Sequence, residues 1–367
     1  MAFQFNFSIE NTEESRLEAL EDEKPQQELV QESLILLDKQ ESLAEKRNDM
    51  SSEENMFNQE LLSEMPAQVA DHSSLSKSHD VTLPEKYSCP AAAKAHNVPK
   101  DVGKILGSKV VEKLPGLYHI NISVVKAELP NYTHGDNILT KSISSHSDLI
   151  TGVYEGGLKI WECTFDLMDY FSEAKVQFAH KVVLDLGCGA GLLGITALKG
   201  NAERVHFQDY NGVVIEEITL PNILVNCICP SGDSEGITGP SLVQLQETDF
   251  NQDLISKCKF FSGEWSGFSK LLLNSVTPFA KYDLIITSET VYNPDYYEAL
   301  HDTLSKLLKA NGCVYVAGKA HYFGCGGGVL LFQEFVKKKN VFNSRSVKII
   351  DKGLKRFIIE LVFKNPS

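Results

Sequence analysis

The spacing of apolar and polar positions changes several times along this chain. Up to about residue 86 no period persists. Glu, Gln and Ser dominate there, aromatics are sparse after Phe7, and too little surface can be buried to offset chain entropy, which predicts disorder. Phe3, Phe5 and Phe7 alternate at the start, as on one face of a strand, so either a frayed terminus or a docking strand is expected. From about residue 115 the texture becomes regular. "LYHINISVVKAEL" reads as a strand, and "DLITGVYEGGLKIWECTFDLMDYF" as a glycine-bearing loop that turns helical near Trp161. "KVVLDLGCGAGLLGITALKG" reads strand, turn, helix. "RVHFQDYN" is a short strand, followed by the helical "VVIEEITLPNILVN", which Pro221 interrupts. The polar stretch 230–259 predicts a surface loop or insertion. "YDLIITSETVY" is a strand, "DYYEALHDTLSKLLKANG" a helix closed by Gly312, and "CVYVAGKAHYF" a further strand. "SVKIID" and "KRFIIELVF" end the chain as two strands joined by a tight turn, and so must run antiparallel.

Strands alternating with helices predict an α/β fold, a parallel sheet with helices on both faces, here carrying an antiparallel edge hairpin. Three parts follow: an acidic, largely disordered region 1–86, an N-terminal extension 87–150, and the main body 151–367. Charge sharpens this division. Residues 1–86 hold 20 Asp/Glu against 7 Lys/Arg and so carry −13 of the chain's net −14. A near-neutral body is not the footprint of a nucleic-acid binder, so no direct nucleic-acid binding is expected. No apolar run of about 18 residues predicts a membrane span, and "MAFQFNFSIE" has neither the basic nor the apolar part of a secretory signal. The eight cysteines include no CxxC pair; Cys227 with Cys229, and His321 with Cys325, come closest to ligand spacing. No metal site is expected, and reduced thiols fit the cytosol or nucleus.

The candidate chemistry begins at "VVLDLGCGAGLLG". The glycines Gly187, Gly189 and Gly191 follow G-x-G-x-G rather than the G-x-G-x-x-G of a dinucleotide loop, and Asp185 stands two residues before them. A carboxylate there repels a pyrophosphate but suits an ammonium group. S-adenosylmethionine carries an ammonium and a sulfonium and has no phosphate, so the residues favour it over NAD. Asp209, at the end of the next strand, can accept both ribose hydroxyls.

At these residues the sequence resembles the seven-β-strand S-adenosylmethionine-dependent methyltransferases, over roughly residues 150–367. Within them it is similar to the methyltransferase-like group that modifies protein side chains, and most of all to its protein-histidine branch. "KIWECT", "VLDLGCGAGLLG", "FQDYN", "GEW" and "DLIITSETVYNPDYY" occur in that group's order, and "GKAHYFGCGGG" and "FQFNF" add to the match. The resemblance implies a seven-stranded Rossmann-like sheet and methyl transfer to a histidine ring nitrogen, with a large-subunit ribosomal protein as substrate. A monomer is expected, and the suggested ribosomal substrate implies the cytoplasm and nucleus, extending to the nucleolus. Carried over, Ile160, Trp161, Glu162, Cys163 and Thr164 would border the cofactor. Gly187 and Gly189 would pass under its methionine part, with Asp185 supporting the ammonium. Asp209 would take the ribose and Tyr210 and Asn211 flank the adenine, with Gly263, Glu264 and Trp265 closing over it and Ser288 nearby.

Related lysine enzymes carry D-x-x-Y after the fourth strand, whereas this chain has Glu289-Thr290-Val291-Tyr292. A neutral imidazole already offers one lone pair, so the enzyme's task is to fix the tautomer by accepting the other nitrogen's hydrogen. Glu289, Asn293 or a backbone carbonyl is expected to accept it, with Tyr292 walling the pocket. Tyr322 and Phe323, in the glycine-rich loop Gly318–Gly328, are expected to contact the acceptor peptide. Two other readings stand beside this one: a lysine methyltransferase of the same group, and a non-catalytic cofactor-binding adaptor.

Overall fold

Five consecutive buried residues, Val182 to Leu186, mark the middle of the molecule. A strand with no exposed face needs cover on both sides, and the flanking chain supplies it. The computed structural model describes residues 92–365 except 100, 108, 133–147, 229–249 and 277–278. The region 1–86, its alternating phenylalanines included, and much of the expected 230–259 loop lie outside the described residues.

The chain enters with strand β1 (Lys94–His96), a short helix α1 (Val102–Leu106) and a hairpin of β2 (Val111–Leu114) and β3 (Leu117–Ile120). The single strand expected from "LYHINISVVKAEL" ends at Ile120, and Ile122–Tyr132 is helix α2. Asn121 decides this, because its Oδ1 accepts the Val124 N–H at 3.0 Å and caps the helix. Next among the described residues come α3 (Glu162–Glu173), β4 (Val182–Leu186), α4 (Leu192–Lys199) and β5 (Arg204–Asp209). Helix α5 runs from Gly212–Val214 through a π-helical stretch, Ile215–Thr219, into Leu220–Asn226. It therefore passes Pro221 without stopping, since the wider π turn before the proline relieves the clash with the preceding carbonyls.

The remaining elements are α6 (Gln252–Ser256), β6 (Cys258–Ser262), α7 (Trp265–Leu273), β7 (Tyr282–Ser288), α8 (Tyr297–Leu307), β8 (Leu308–Lys319), α9 (Val329–Lys339), β9 (Phe342–Ile350) and β10 (Arg356–Phe363). Helix α8 stops at Leu307 rather than at Gly312. The buried Leu308 already pairs with Tyr282, and Lys309 to Gly312 bulge out before Cys313 pairs with Leu284.

One sheet has the order β1-β6-β5-β4-β7-β8-β10-β9. β6, β5, β4, β7 and β8 run parallel, while β10 lies antiparallel between β8 and β9. Seven strands make the expected sheet with its C-terminal hairpin, and β1 adds an eighth, antiparallel to β6. The N-terminal extension is joined to the body as well. The Asn226 side chain pairs with both backbone groups of Tyr118, and Asn222 Oδ1 accepts the Ile120 N–H at 2.7 Å. One face of the sheet is covered by α3, α4 and α5 through residues such as Leu167, Ile195 and Ile223; Phe268, Leu304 and Phe332 of α7, α8 and α9 cover the other. Among the described residues no helix is long and apolar enough to cross a membrane.

The strand order reverses between β4 and β7, so the turns after them diverge and leave a crevice at their carboxyl ends. Helix α4 starts at this crevice and presses on β5: a Cβ at Gly194 would lie 2.2 Å from Phe207 Cε1. Gly194→Ala should therefore destabilise the fold by about 1–3 kcal/mol, the usual cost of overpacking, read as a lower urea midpoint at unchanged slope.

Candidate functional site

The turn after β4 leaves the strand through Gly187, Gly189 and Gly191, all with positive φ. At Gly187, with φ +66°, a side chain is also excluded by space, because its Cβ would be 2.6 Å from Thr290 Cγ2. This bare backbone floors a cavity of about 290 Å³ in the crevice.

Two acids stand at its strand ends, nearly inaccessible to solvent. Asp185 Oδ2 accepts the Gly194 N–H at 2.8 Å, which ties the start of α4 to β4. Burial, and then the Asp209 carboxylate, push the Asp185 acid up to about 8. Asp209 accepts the Gly189 N–H at 3.0 Å and the Asn211 N–H at 3.1 Å. Burial raises it to about 6 against these bonds. Two buried carboxyls held this way favour a cationic ligand, whose charge would hold them ionised, over an anionic one.

The chain before α3 forms the opposite wall, with Ile160, Trp161 and Thr164 on the cavity. Glu162 and Cys163 are not among the lining residues. Burial would raise the Glu162 carboxyl, but its own backbone N–H and the Lys319 ammonium hold it below the usual range. Burial and then the Glu289 carboxylate push the Cys163 thiol well up, leaving it a neutral, weak donor. Tyr210 lines the cavity and donates its hydroxyl to Gly152 O at 2.9 Å. Asn211 does not line it; its side chain binds Val153 O and Glu155 N instead, tying the wall to the end of β5. Glu264 and Trp265 border the far end, whereas Gly263 sits behind them, its carbonyl accepting from Gln208 Nε2 at 2.8 Å.

Ser288, Glu289 and Tyr292 come in from the end of β7. Glu289 holds a left-handed backbone, φ +59°, which a non-glycine residue adopts only at a cost of about 1–3 kcal/mol. Its Oε2 accepts the Tyr322 hydroxyl at 2.5 Å, while its buried Oε1 has no hydrogen-bond partner among the described residues. Asn293 is not on the cavity: its Oδ1 accepts the Asp295 N–H at 3.0 Å and caps the turn Pro294–Tyr296. In the loop after β8, Tyr322 is buried against Glu289 and lines a smaller adjoining cavity, while Phe323 is 65% exposed and lines neither cavity.

A second, smaller cavity shares Glu155, Gly156, Trp161, Glu289 and Tyr292 with the first and adds Leu149, Lys319, Tyr322 and Cys325. The two are thus adjoining chambers with Glu289 between them. Glu155, Gln208, Tyr296 and Lys319 were not found from the sequence. Glu155 accepts from the Gly152 N–H and from the Tyr292 and Tyr296 hydroxyls, and burial raises its carboxyl. The acid beside Gly156 and Gly157 was the available signal. Gln208 is fully buried and accepts the Trp265 Nε1–H at 3.2 Å.

A histidine protein methyltransferase 1 homolog of Bos taurus is 50% identical over 376 residues, covering all of both chains. The chain belongs to the histidine protein methyltransferase 1 family. Its homolog in Rattus norvegicus is likewise 50% identical over the whole of both chains. A lysine methyltransferase family profile matches residues 265–323, the stretch from Trp265 through Glu289 to Phe323. A solved magnesium protoporphyrin IX methyltransferase of Synechocystis PCC 6803, with SAH bound, is 12% identical; the match covers 66% of this chain and 99% of that one at a TM-score of 0.36. As a member of this family the protein is an S-adenosylmethionine-dependent protein methyltransferase. The cavity fits the cofactor's chemistry: bare glycine backbone, two buried acids for a cationic ligand, and the rings of Trp161, Tyr210 and Trp265.

Asp185 also makes a stability test. Its folded value of about 8 lies above the ordinary 3.8, so below 3.8 the group costs nothing. Between the two values the folded state must hold a proton that the unfolded chain releases, and stability falls as pH rises. Asp185→Asn keeps an acceptor for Gly194 and removes the ionisation. Its stability relative to the parent should therefore grow steadily from pH 4 to about 8, measured by denaturant melts without cofactor.

Proposed function

We propose that the methyl acceptor is a neutral histidine side chain of a protein, and that Glu289 selects its tautomer. The observation that carries this reading is the buried Glu289 Oε1, which has no hydrogen-bond partner among the described residues and belongs to the residue shared by both chambers. An ionised carboxylate can only accept, so it takes a ring N–H and leaves the other nitrogen's lone pair for attack. S-adenosylmethionine, when bound, supplies a methyl group on a sulfonium leaving group. The chain's own part is placement and exclusion of water. Asp185 and the glycine turn would hold the ammonium end, Asp209 the ribose, and Trp265 the base, while Tyr292 and Trp161 line both chambers. Taking the methyl from that sulfonium, which would be left as a neutral thioether, would place the positive charge on the acceptor ring, and Glu289 would then receive the ring's N–H proton.

The full-length relatives' histidine name supports this acceptor, and the sequence resemblance supports a large-subunit ribosomal protein as substrate, met in the cytoplasm or nucleus. The lysine profile over residues 265–323 favours a second reading, with lysine as acceptor. Labelled S-adenosylmethionine, recombinant protein and a ribosomal protein extract, hydrolysed to amino acids, separate the two. Methylhistidine that is absent with Asp185→Ala is expected; label in methyl-lysine overturns the histidine reading. Glu289→Met, which keeps length but removes both acceptor oxygens, should lower kcat at least about 10²-fold, the usual scale for a lost proton acceptor, with cofactor affinity retained.

A further inference from the structure

Lys319 ends β8 with a side chain only 5% exposed. A buried ammonium is retained only when paired. Its Nζ lies 3.2 Å from Glu162 Oε2 on α3 and 3.9 Å from Glu289 Oε1, the oxygen assigned above to the acceptor ring. It also stands 5.2 Å from the Trp161 ring centroid and 5.7 Å from that of Tyr322. Two aromatic faces and two carboxylates thus fix it at the wall of the smaller chamber, whose other charged residues are Glu155 and Glu289. The methyl-transfer step described above has no use for a cation there.

We propose that Lys319 is a specificity-determining residue that makes the acceptor chamber accept a neutral imidazole and turn away a protonated lysine. The inference rests on the reading that Glu289 receives the acceptor. Without Lys319, Glu289 would offer an unbalanced buried carboxylate, and an ammonium would be its best ligand. With Lys319 in place that carboxylate already has an ammonium 3.9 Å from its Oε1, shared with Glu162. An incoming lysine then meets a like charge close to the same oxygen, in surroundings that screen poorly. A neutral ring N–H pays no such penalty and still finds an acceptor on Oε1. Tyr322 and the Cys163 thiol face the same carboxylate and are held neutral by burial, so neither adds a further negative charge beside it.

The test uses two peptides that span the labelled site and differ only in carrying His or Lys at the methylated position. The full chain is compared with Lys319→Met and Lys319→Arg, and melts and cofactor binding verify that each variant is folded. Lys319→Met should lower the His-over-Lys ratio of kcat/KM at least tenfold, and Lys319→Arg should keep the parent's ratio. An unchanged ratio in a folded Lys319→Met overturns the proposal. A parent inactive on the His peptide overturns the histidine reading itself, a different result. If Lys319→Met does not fold, the parent alone decides by peptide binding at about pH 5.5 and about pH 7.5, either side of imidazole's ordinary value of about 6.5. The His peptide should bind at least fivefold more weakly at the lower pH, after correction by a peptide with Ala at that position. Equal affinity at both overturns the charge filter.

Discussion

A carboxylic acid buried at the end of the central strand is the constraint round which this molecule is arranged. Asp185 cannot be solvated, so one oxygen takes the Gly194 N–H. That bond draws α4 in until its glycine rests on the Phe207 ring of β5. With α4 so close, the turn between strand and helix must be bare backbone in left-handed conformations, and that bare turn becomes the cavity floor. The sequence of causes runs from one carboxyl through helix placement to a surface a ligand can touch. Losing the acid removes both an anchor for α4 and a buried carboxyl that a cationic ligand would hold ionised.

The strand order does the remaining placement. Asp209 and Glu289 are 80 positions apart in sequence, yet both end strands flanking the same crevice because β5 and β7 lie on either side of β4. Each enters with backbone suited to its place. Asp209 is held by two N–H groups, while Glu289 sits in a strained turn with one oxygen engaged and the other in reserve. One chamber is therefore rigidly satisfied, and the adjoining one keeps an unspent acceptor.

Residues whose chemistry shows in local spacing were legible in the sequence. Asp185, the glycine turn and Asp209 declare themselves through strand ends and glycine, and the parallel sheet through alternating periods. What local spacing misses is partnership across the fold. Asn293 looked like a pocket residue, but a turn two positions away uses its side chain. Tyr322 was expected on the acceptor peptide, and the bond of its hydroxyl to Glu289 is visible only in the fold. Lys319 read as one residue within the strand "CVYVAGKAHYF", and only tertiary packing brings it between Glu162 and Glu289. Boundaries shifted where a side chain overrode a pattern, as Asn121 does in starting α2 and Leu308 in ending α8.

The eighth strand bears on how the chain can be cut. β1 covers the outer edge of β6, with His96 bonded to Ser262 and Glu216, and a Cβ at Gly263 would run into Ala93. Three residues thus shield a row of backbone groups that would otherwise be a template for another chain's edge. A shortened protein made for crystallography or screening should start before Ala93. One starting at the more obvious boundary near residue 150 would lose the hairpin's hold on α5 and leave β6 as a sticky border.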